Sequence, residues 1–308
     1  MKPIYIINYQ AKIKQFKPGR LKVWFSLPQT NYLQNISWLK LTSRPKNIYL
    51  HQQNKIAYWQ TNELKFGLNL TFNYQNTFLK KSIEPKKINQ KLIPLKIKKQ
   101  YTKSEPFLEQ SPAIKSLAKK ITSKNNPYLA AEEIFSWVVK NFTYQYPPAK
   151  RGVVNLDLKN LCGDCAEQSG LFVALCRSIG IPAKVESGFW FDQKKLKLNE
   201  HAWVSIYLQP YGWLPVDCQF AGLEKIISLG KEKYFCNMPE NRIIFTNGFN
   251  IPLKPPLDKK DNTNYWQKQT LVTNKKSVQT LQPLFFTTLN ENLNNFDQKF
   301  MVVKKKRR

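Results

Sequence analysis

Residues 160–190, NLCGDCAEQSGLFVALCRSIGIPAKVESGFW, leave the chain little freedom in how it folds. Asp164, followed three residues later by Glu167, forms a capping box that places a helix start at Cys165. Ala166, Phe172, Leu175, Cys176 and Ile179 then recur at helical spacing. Gly180 supplies the residue that ends such a helix, and Pro182 blocks its continuation. AKVESGFWF reads as a strand. The segment therefore predicts a capped helix delivered directly into a sheet.

Two further strands are expected, in HAWVSIYL from His201 and in WLPVDC up to Cys218, with a turn around Gln209–Gly212. Upstream, Ser111-Pro112 and Asn126-Pro127 each pair a polar cap with proline at the first helical position. The second of these helices carries an apolar stripe of Ala131, Ile134, Phe135, Val138 and Phe142, which reads as core packing. Before them come short runs rich in β-branched and aromatic residues, among them IYIINYQAKI, LKVWFSLP and LKFGLNLTFNYQ, several alternating with period two. The expected fold class is α+β, a core of helices packed on an antiparallel sheet, preceded by an all-β sandwich. The expected boundaries are 1–100 for the sandwich, 101–110 for a linker, 111–255 for the core and 256–308 for a C-terminal extension with a basic tail. The end of that tail, VVKKKRR, reads as a frayed terminus.

The residues that carry chemistry fall on these core elements. A thiol attacks a carbonyl as the thiolate, and a helix N-terminus favours that form. Unpaired N–H groups there also suit the oxyanion of a tetrahedral intermediate. Cys165 is therefore the candidate nucleophile. The chain has two histidines, His51 and His201. His201 opens a predicted strand, and Asp217 lies 16 residues on, in the next strand. A hairpin folded at Gln209 would set the two opposite each other. Since 16 is even, a symmetric hairpin puts both on one face. Such an Asp holds the imidazole in one tautomer. No upstream oxyanion-binding side chain is identifiable from the sequence; Tyr144 and Tyr146 are candidates whose ordinary role is packing before the helix of Cys165. Taken singly, a helical Cys, a strand-start His and an Asp near a turn each have ordinary structural roles; taken together they describe a nucleophile, its base and the base's orienter. The Cys162-Gly163-Asp164-Cys165 pair raises a zinc or dithiol alternative, including a reversible disulfide between Cys162 and Cys165. Zinc would need a second such pair, and Cys218 and Cys236 do not form one.

Charge bears on partners. Lys and Arg number 49 against 20 Asp and Glu, a net +29. The basic residues are mostly Lys and spread along the chain, beside abundant Asn, Ile, Tyr and Phe. That pattern fits A/T-rich codon use and predicts non-specific attraction to polyanions rather than specific nucleic-acid reading. Five cysteines in 308 residues do not make a disulfide framework. The opening MKPIYIINYQAKIKQF holds no apolar run of signal-peptide length, and no stretch approaches the ~20 apolar residues of a membrane span. A cytoplasmic location is expected.

These motifs resemble the transglutaminase-like superfamily. Its G-x-C helix start is matched by Gly163-Asp164-Cys165, and its GIPA helix exit by Gly180-Ile181-Pro182-Ala183. Its H-A-W strand is matched by His201-Ala202-Trp203, and its W-x-P-x-D strand by Trp213-Leu214-Pro215-Val216-Asp217. The likeness covers roughly residues 110–255. One departure is Lys184, where many members have Arg. The resemblance implies a papain-like core with a Cys165–His201–Asp217 triad acting on peptide or glutamine-type amides, with no cofactor and no metal. It also implies a cysteine protease, amidase or acyltransferase, and hydrolysis is favoured over cross-linking. The alternative is a non-catalytic binding or scaffold protein using the β domain and the basic surface.

Overall fold

The computed structural model describes residues 2–14, 20–146, 152–192, 197–224, 227–249 and 251–256, together with the strand segments 262–263, 272–273, 277–278, 284–288 and 295–304. They form two compact units, each assembled from separated stretches of chain. The first takes in Met1–Phe78, Ser187–Glu200 and Glu240–Arg308; the second takes in Leu79–Glu186 and His201–Pro239.

The first unit begins with six strands: β1 (Ile4–Lys14), β2 (Leu21–Leu27), β3 (Gln34–Leu41), β4 (Asn47–His51), β5 (Asn54–Thr61) and β6 (Lys65–Asn76). β1 and β6 alternate buried and more exposed residues along their length, as period-two patterning requires of a half-buried strand. They pair antiparallel, Ile4 opposite Gln75 through Lys14 opposite Lys65. β2 pairs β5, and β5 pairs β4, in a second antiparallel sheet. Tyr9, Phe25, Trp59, Phe66 and Phe72 help fill one shared apolar core.

The second unit holds the helices α1 (Leu95–Tyr101), α2 (Pro112–Ile121), α3 (Pro127–Asn141), α4 (Cys165–Ser178), α5 (Cys218–Gly222) and α6 (Ile227–Tyr234). Two short strands, β7 (Thr143–Tyr144) and β8 (Cys162–Gly163), pair in parallel. β9 (Ala183–Asp192) runs out of this unit after Glu186. β10 (Lys197–Leu208) runs back into it at His201 and pairs with β11 (Gly212–Val216). Both expected caps form: Ser111 accepts from the Ile114 amide, and Asn126 from those of Tyr128 and Leu129. The apolar stripe of α3 is buried from Ala131 to Phe142.

α4 ends as its sequence dictates. The Ile181 amide bonds the Cys176 carbonyl at 3.0 Å, and the Gly180 amide bonds that of Arg177 at 3.0 Å. Gly180 takes the positive φ of 82° that this Schellman arrangement requires. Every residue of α4 from Ala166 to Arg177 is buried, polar ones included, because α2, α3 and α5 all pack on it.

The chain then returns to the first unit through β12 (Arg242–Asn247). The strand Leu284–Thr288 pairs with β2, and Asn295–Lys304 pairs with β1 along ten positions. These pairings draw the boundaries differently from the expected ones. Residues 79–100 group with the helical unit: Tyr101, at the end of α1, sets its ring 4.8 Å from that of Trp213. The Lys-rich pattern there concealed a helix whose one buried residue is Tyr101. Part of the expected C-terminal extension is an edge strand whose Val302 is buried in the sandwich core. The end of the basic tail, 305–308, lies outside the described residues.

Within the first unit the buried Gln34 side chain acts as a strand partner for β12, donating to the Ile244 carbonyl at 2.9 Å and accepting from its amide at 2.8 Å. Gln34→Leu leaves both backbone groups unpaired and should lower stability by roughly 2–4 kcal/mol in urea unfolding. Glu200 accepts from Gln298 at 2.8 Å, and burial, partly opposed by that bond, pushes its carboxyl up to about 7. The folded chain therefore favours protonated Glu200 over a pH range where the unfolded chain ionises it. Its stabilisation is complete below about pH 4 and is lost as pH rises through about 7, an effect on the order of 1–3 kcal/mol. Urea midpoints at pH 5 and pH 8 should differ less in Glu200→Gln than in the wild type.

Candidate active site

Cys165 is the first residue of α4, and Asp164 is its N-cap, accepting from the Ala166 amide at 2.8 Å. The thiol is in no disulfide and is partly exposed. Gly163 is required by space: a Cβ there would lie 2.7 Å from Glu167 Cβ. One turn beyond Cys165, Ser169 Oγ donates to the Ala202 carbonyl at 3.2 Å. That bond ties the first turns of α4 to β10 beside His201.

His201 Nε2 and Asp217 Oδ2 lie 2.9 Å apart, both side chains buried, at 2% and 1% exposure. The hairpin that brings them together is offset from the expected one. Leu208 pairs with Gly212 and Val204 with Val216, so the ladder centres on Pro210 rather than Gln209. The shift preserves parity, and His201 and Asp217 share a face as diagonal rather than directly opposed neighbours. Asp217 itself stands past the end of β11, as the N-cap of α5. Its Oδ1 accepts from the Phe220 amide at 3.1 Å, and its own amide donates to the Tyr234 carbonyl at 2.9 Å. The Phe220 ring meets the imidazole at 4.9 Å and 66°, and Trp203 lies 5.8 Å from it. Both rings limit how the imidazole turns.

Behind Trp203 is a buried charged pair. Lys184 Nζ and Glu186 Oε1 are 3.0 Å apart, and Glu186 Oε2 accepts from Trp203 Nε1 at 3.1 Å. Lys184 also stands 4.8 Å over the Trp213 ring. Lys184 is thus a paired and stacked cation.

Tyr144 is brought beside the nucleophile by the β7–β8 pairing, which sets it opposite Gly163. Its hydroxyl pKa is raised by burial and by the nearby charges of Cys165 and Asp164, against a hydrogen bond from the Gln219 side chain. Tyr146 is 62% exposed. Cys162 and Cys165 are not joined by a disulfide in this structure. Among the described residues no group of three His, Cys, Asp or Glu side chains is placed to hold a metal ion. Cys176, Cys218 and Cys236 are buried, and burial pushes all three thiols up. Sequence reasoning missed Ser169, Phe220 and Gln219. Ser169 was open to inference from its place one turn after Cys165; the other two needed α5.

Fold and site together describe a papain-like core with a capped cysteine and a buried His–Asp pair. Residues 115–218 match the family model of the transglutaminase-like superfamily. A solved structure of a candidate cysteine protease from Cytophaga hutchinsonii shares the fold, with a TM-score of 0.61 at 12% identity over 100% of this chain and 92% of that one. An uncharacterized protein of Haemophilus influenzae is 24% identical over 250 residues, 68% of this chain and 66% of the relative, so the match spans just under two thirds of that protein's length. The periplasmic domain of TgpA from Pseudomonas aeruginosa overlaps more loosely, with a TM-score of 0.41 at 14% identity over 76% of this chain and 93% of that domain.

Asp164→Ala removes the cap of α4 and should cost about 0.5–2 kcal/mol in urea unfolding, whereas Asp164→Asn, which keeps an acceptor, should cost much less.

Proposed function

We propose that the protein is a cysteine hydrolase or acyltransferase that acts on peptide or glutamine-type amides through a thioester. The observation that carries this reading is the buried 2.9 Å pair of His201 and Asp217, with the strand of His201 tied by Ser169 to the helix that Cys165 begins.

Asp217 engages Nε2 of His201, so Nδ1 is the nitrogen that exchanges a proton with the thiol. Cys165 gives up its proton to His201 and attacks the substrate carbonyl. Backbone N–H groups in the first turn of α4 stabilise the resulting oxyanion. His201 then protonates the departing amine, which leaves a thioester on Cys165. Water, deprotonated by His201, attacks that thioester, releasing the acid and restoring the thiol. An amine in place of water yields transfer. Hydrolysis is favoured because the partly exposed Cys165 is open to water. The substrate is a protein or peptide, and the net charge of +29 adds non-specific attraction to polyanions. Five cysteines outside any disulfide are in keeping with a reducing compartment such as the cytoplasm.

Labelling with a thiol-directed acyl probe should be concentrated at Cys165 and disappear in Cys165→Ala; equal labelling of the two proteins would reject the proposal. Asp217→Asn should lower kcat by about 10²–10⁴ with a smaller effect on KM, measured on any peptide amide that the wild type turns over.

A further inference from the structure

β3 is the outer strand of the sheet that contains β1 and β6. β6 pairs with one of its edges, and no strand among the described residues pairs with the other. Its register slips once. Ser37 stands opposite Asn73 and Lys40 opposite Thr71, so three steps along β3 match two along β6. The extra residue is a β-bulge. Strict alternation from Ile36 would send Trp38 to the core face. The bulge breaks that alternation: Ile36 and Leu41 pack against the sandwich core, whereas Trp38 is 75% exposed and Leu39 is 37% exposed.

Trp38 reaches this position with a φ of 55°, in the left-handed region that a residue with a Cβ enters only at a cost. Few side chains gain more from burial than an indole. Here the backbone is strained and the burial is forgone, so packing does not account for Trp38. Bulges do blunt edge strands against unwanted pairing, but the side chains that serve that end are charged. An exposed Trp-Leu pair does the opposite and marks an interaction surface.

The surrounding charge selects the partner. Lys40 adjoins Leu39, and Arg44 and Lys46 follow in the loop to β4, all three exposed. Residues 1–62 hold ten Lys and Arg and no Asp or Glu. An indole beside an aliphatic side chain suits the boundary between lipid headgroups and acyl chains, and neighbouring cations suit an anionic leaflet. A nucleic acid would stack on the indole but gives an aliphatic side chain little to bury against.

We infer that the Trp38–Leu39 bulge is a docking surface for an anionic lipid bilayer, with these two side chains entering the headgroup boundary and Lys40, Arg44 and Lys46 facing lipid phosphates.

Vesicle flotation of the full chain tests this, with phosphatidylcholine alone and with equimolar phosphatidylcholine and phosphatidylserine. The wild type should float with the phosphatidylserine vesicles. Trp38→Ala should weaken that binding by about 5- to 20-fold, the effect of withdrawing a partly buried aromatic side chain. Lys40→Gln should weaken it by about 5-fold. Trp38→Arg separates insertion from bulk charge, because it adds a cation and removes the indole: it should bind more weakly than the wild type, whereas attraction by charge alone would make it bind more tightly. Cys165→Ala should float as the wild type does. Trp38→Gly, free of the left-handed strain, should keep or raise the urea midpoint; a lowered midpoint would make Trp38 a structural residue and overturn the inference. No flotation of the wild type, or binding undiminished in Trp38→Ala and Trp38→Arg, overturns it as well. So does tighter, Trp38-dependent binding of a single-stranded oligonucleotide, which would assign the surface to nucleic acid.

Discussion

One buried hydrogen bond, from the His201 imidazole to the Asp217 carboxylate, organises the candidate site. Both side chains are buried and held away from solvent. Removing one side of such a pair leaves a buried polar group or charge unsatisfied, which costs far more than the bond contributes on balance. Asp217 is committed twice. One oxygen orients the imidazole, and the other caps α5 through Phe220. The orientation of the base and the start of a helix are therefore set by the same carboxylate, and Phe220 closes the loop by resting on the ring.

Cys165 is positioned by different means. Its helix is short of freedom at both ends: Asp164 fixes the beginning, and the Gly180 arrangement fixes the end. Ser169 then ties the helix to β10 at Ala202. Since β10 passes between the two units at the Glu200–His201 junction, His201 stands inside a continuous twelve-residue strand rather than on a loop. A base carried on a strand keeps its backbone fixed, which suits chemistry that tolerates little misplacement.

Polar groups near Trp203 show how a buried lysine is accommodated. Lys184 is a buried cation, and burial of a lone ammonium is prohibitively unfavourable. Here it meets Glu186 at 3.0 Å and the face of Trp213, and Glu186 in turn holds the Trp203 indole near His201. Lys lacks the fork of an Arg side chain, but a single carboxylate oxygen and an aromatic face are partners a compact ammonium can satisfy.

Local chemistry along the chain was sufficient to reveal the caps at Ser111, Asn126 and Asp164, the helix exit at Gly180, the alternation of β1 and β6, and the identity of Cys165, His201 and Asp217 as residues to bring together. Each depends on neighbours within a few positions, or on a period set by backbone geometry. The hairpin register was not of that kind: parity survived, but the pairing turned about Pro210, because turn geometry rather than side-chain pattern decides where a ladder begins. The Lys-rich stretch before Thr102 concealed α1, since one buried tyrosine leaves no period to read. The strand at Asn295–Lys304 also went unseen, because its burial is created by β1, nearly 300 residues away in sequence. Phe220 acquired significance only in three dimensions, where its ring packs on the imidazole and its amide bonds Asp217. A side chain's hydrogen-bond balance is a property of everything around it, and no reading of neighbours along the chain can count the partners that tertiary packing supplies or withholds.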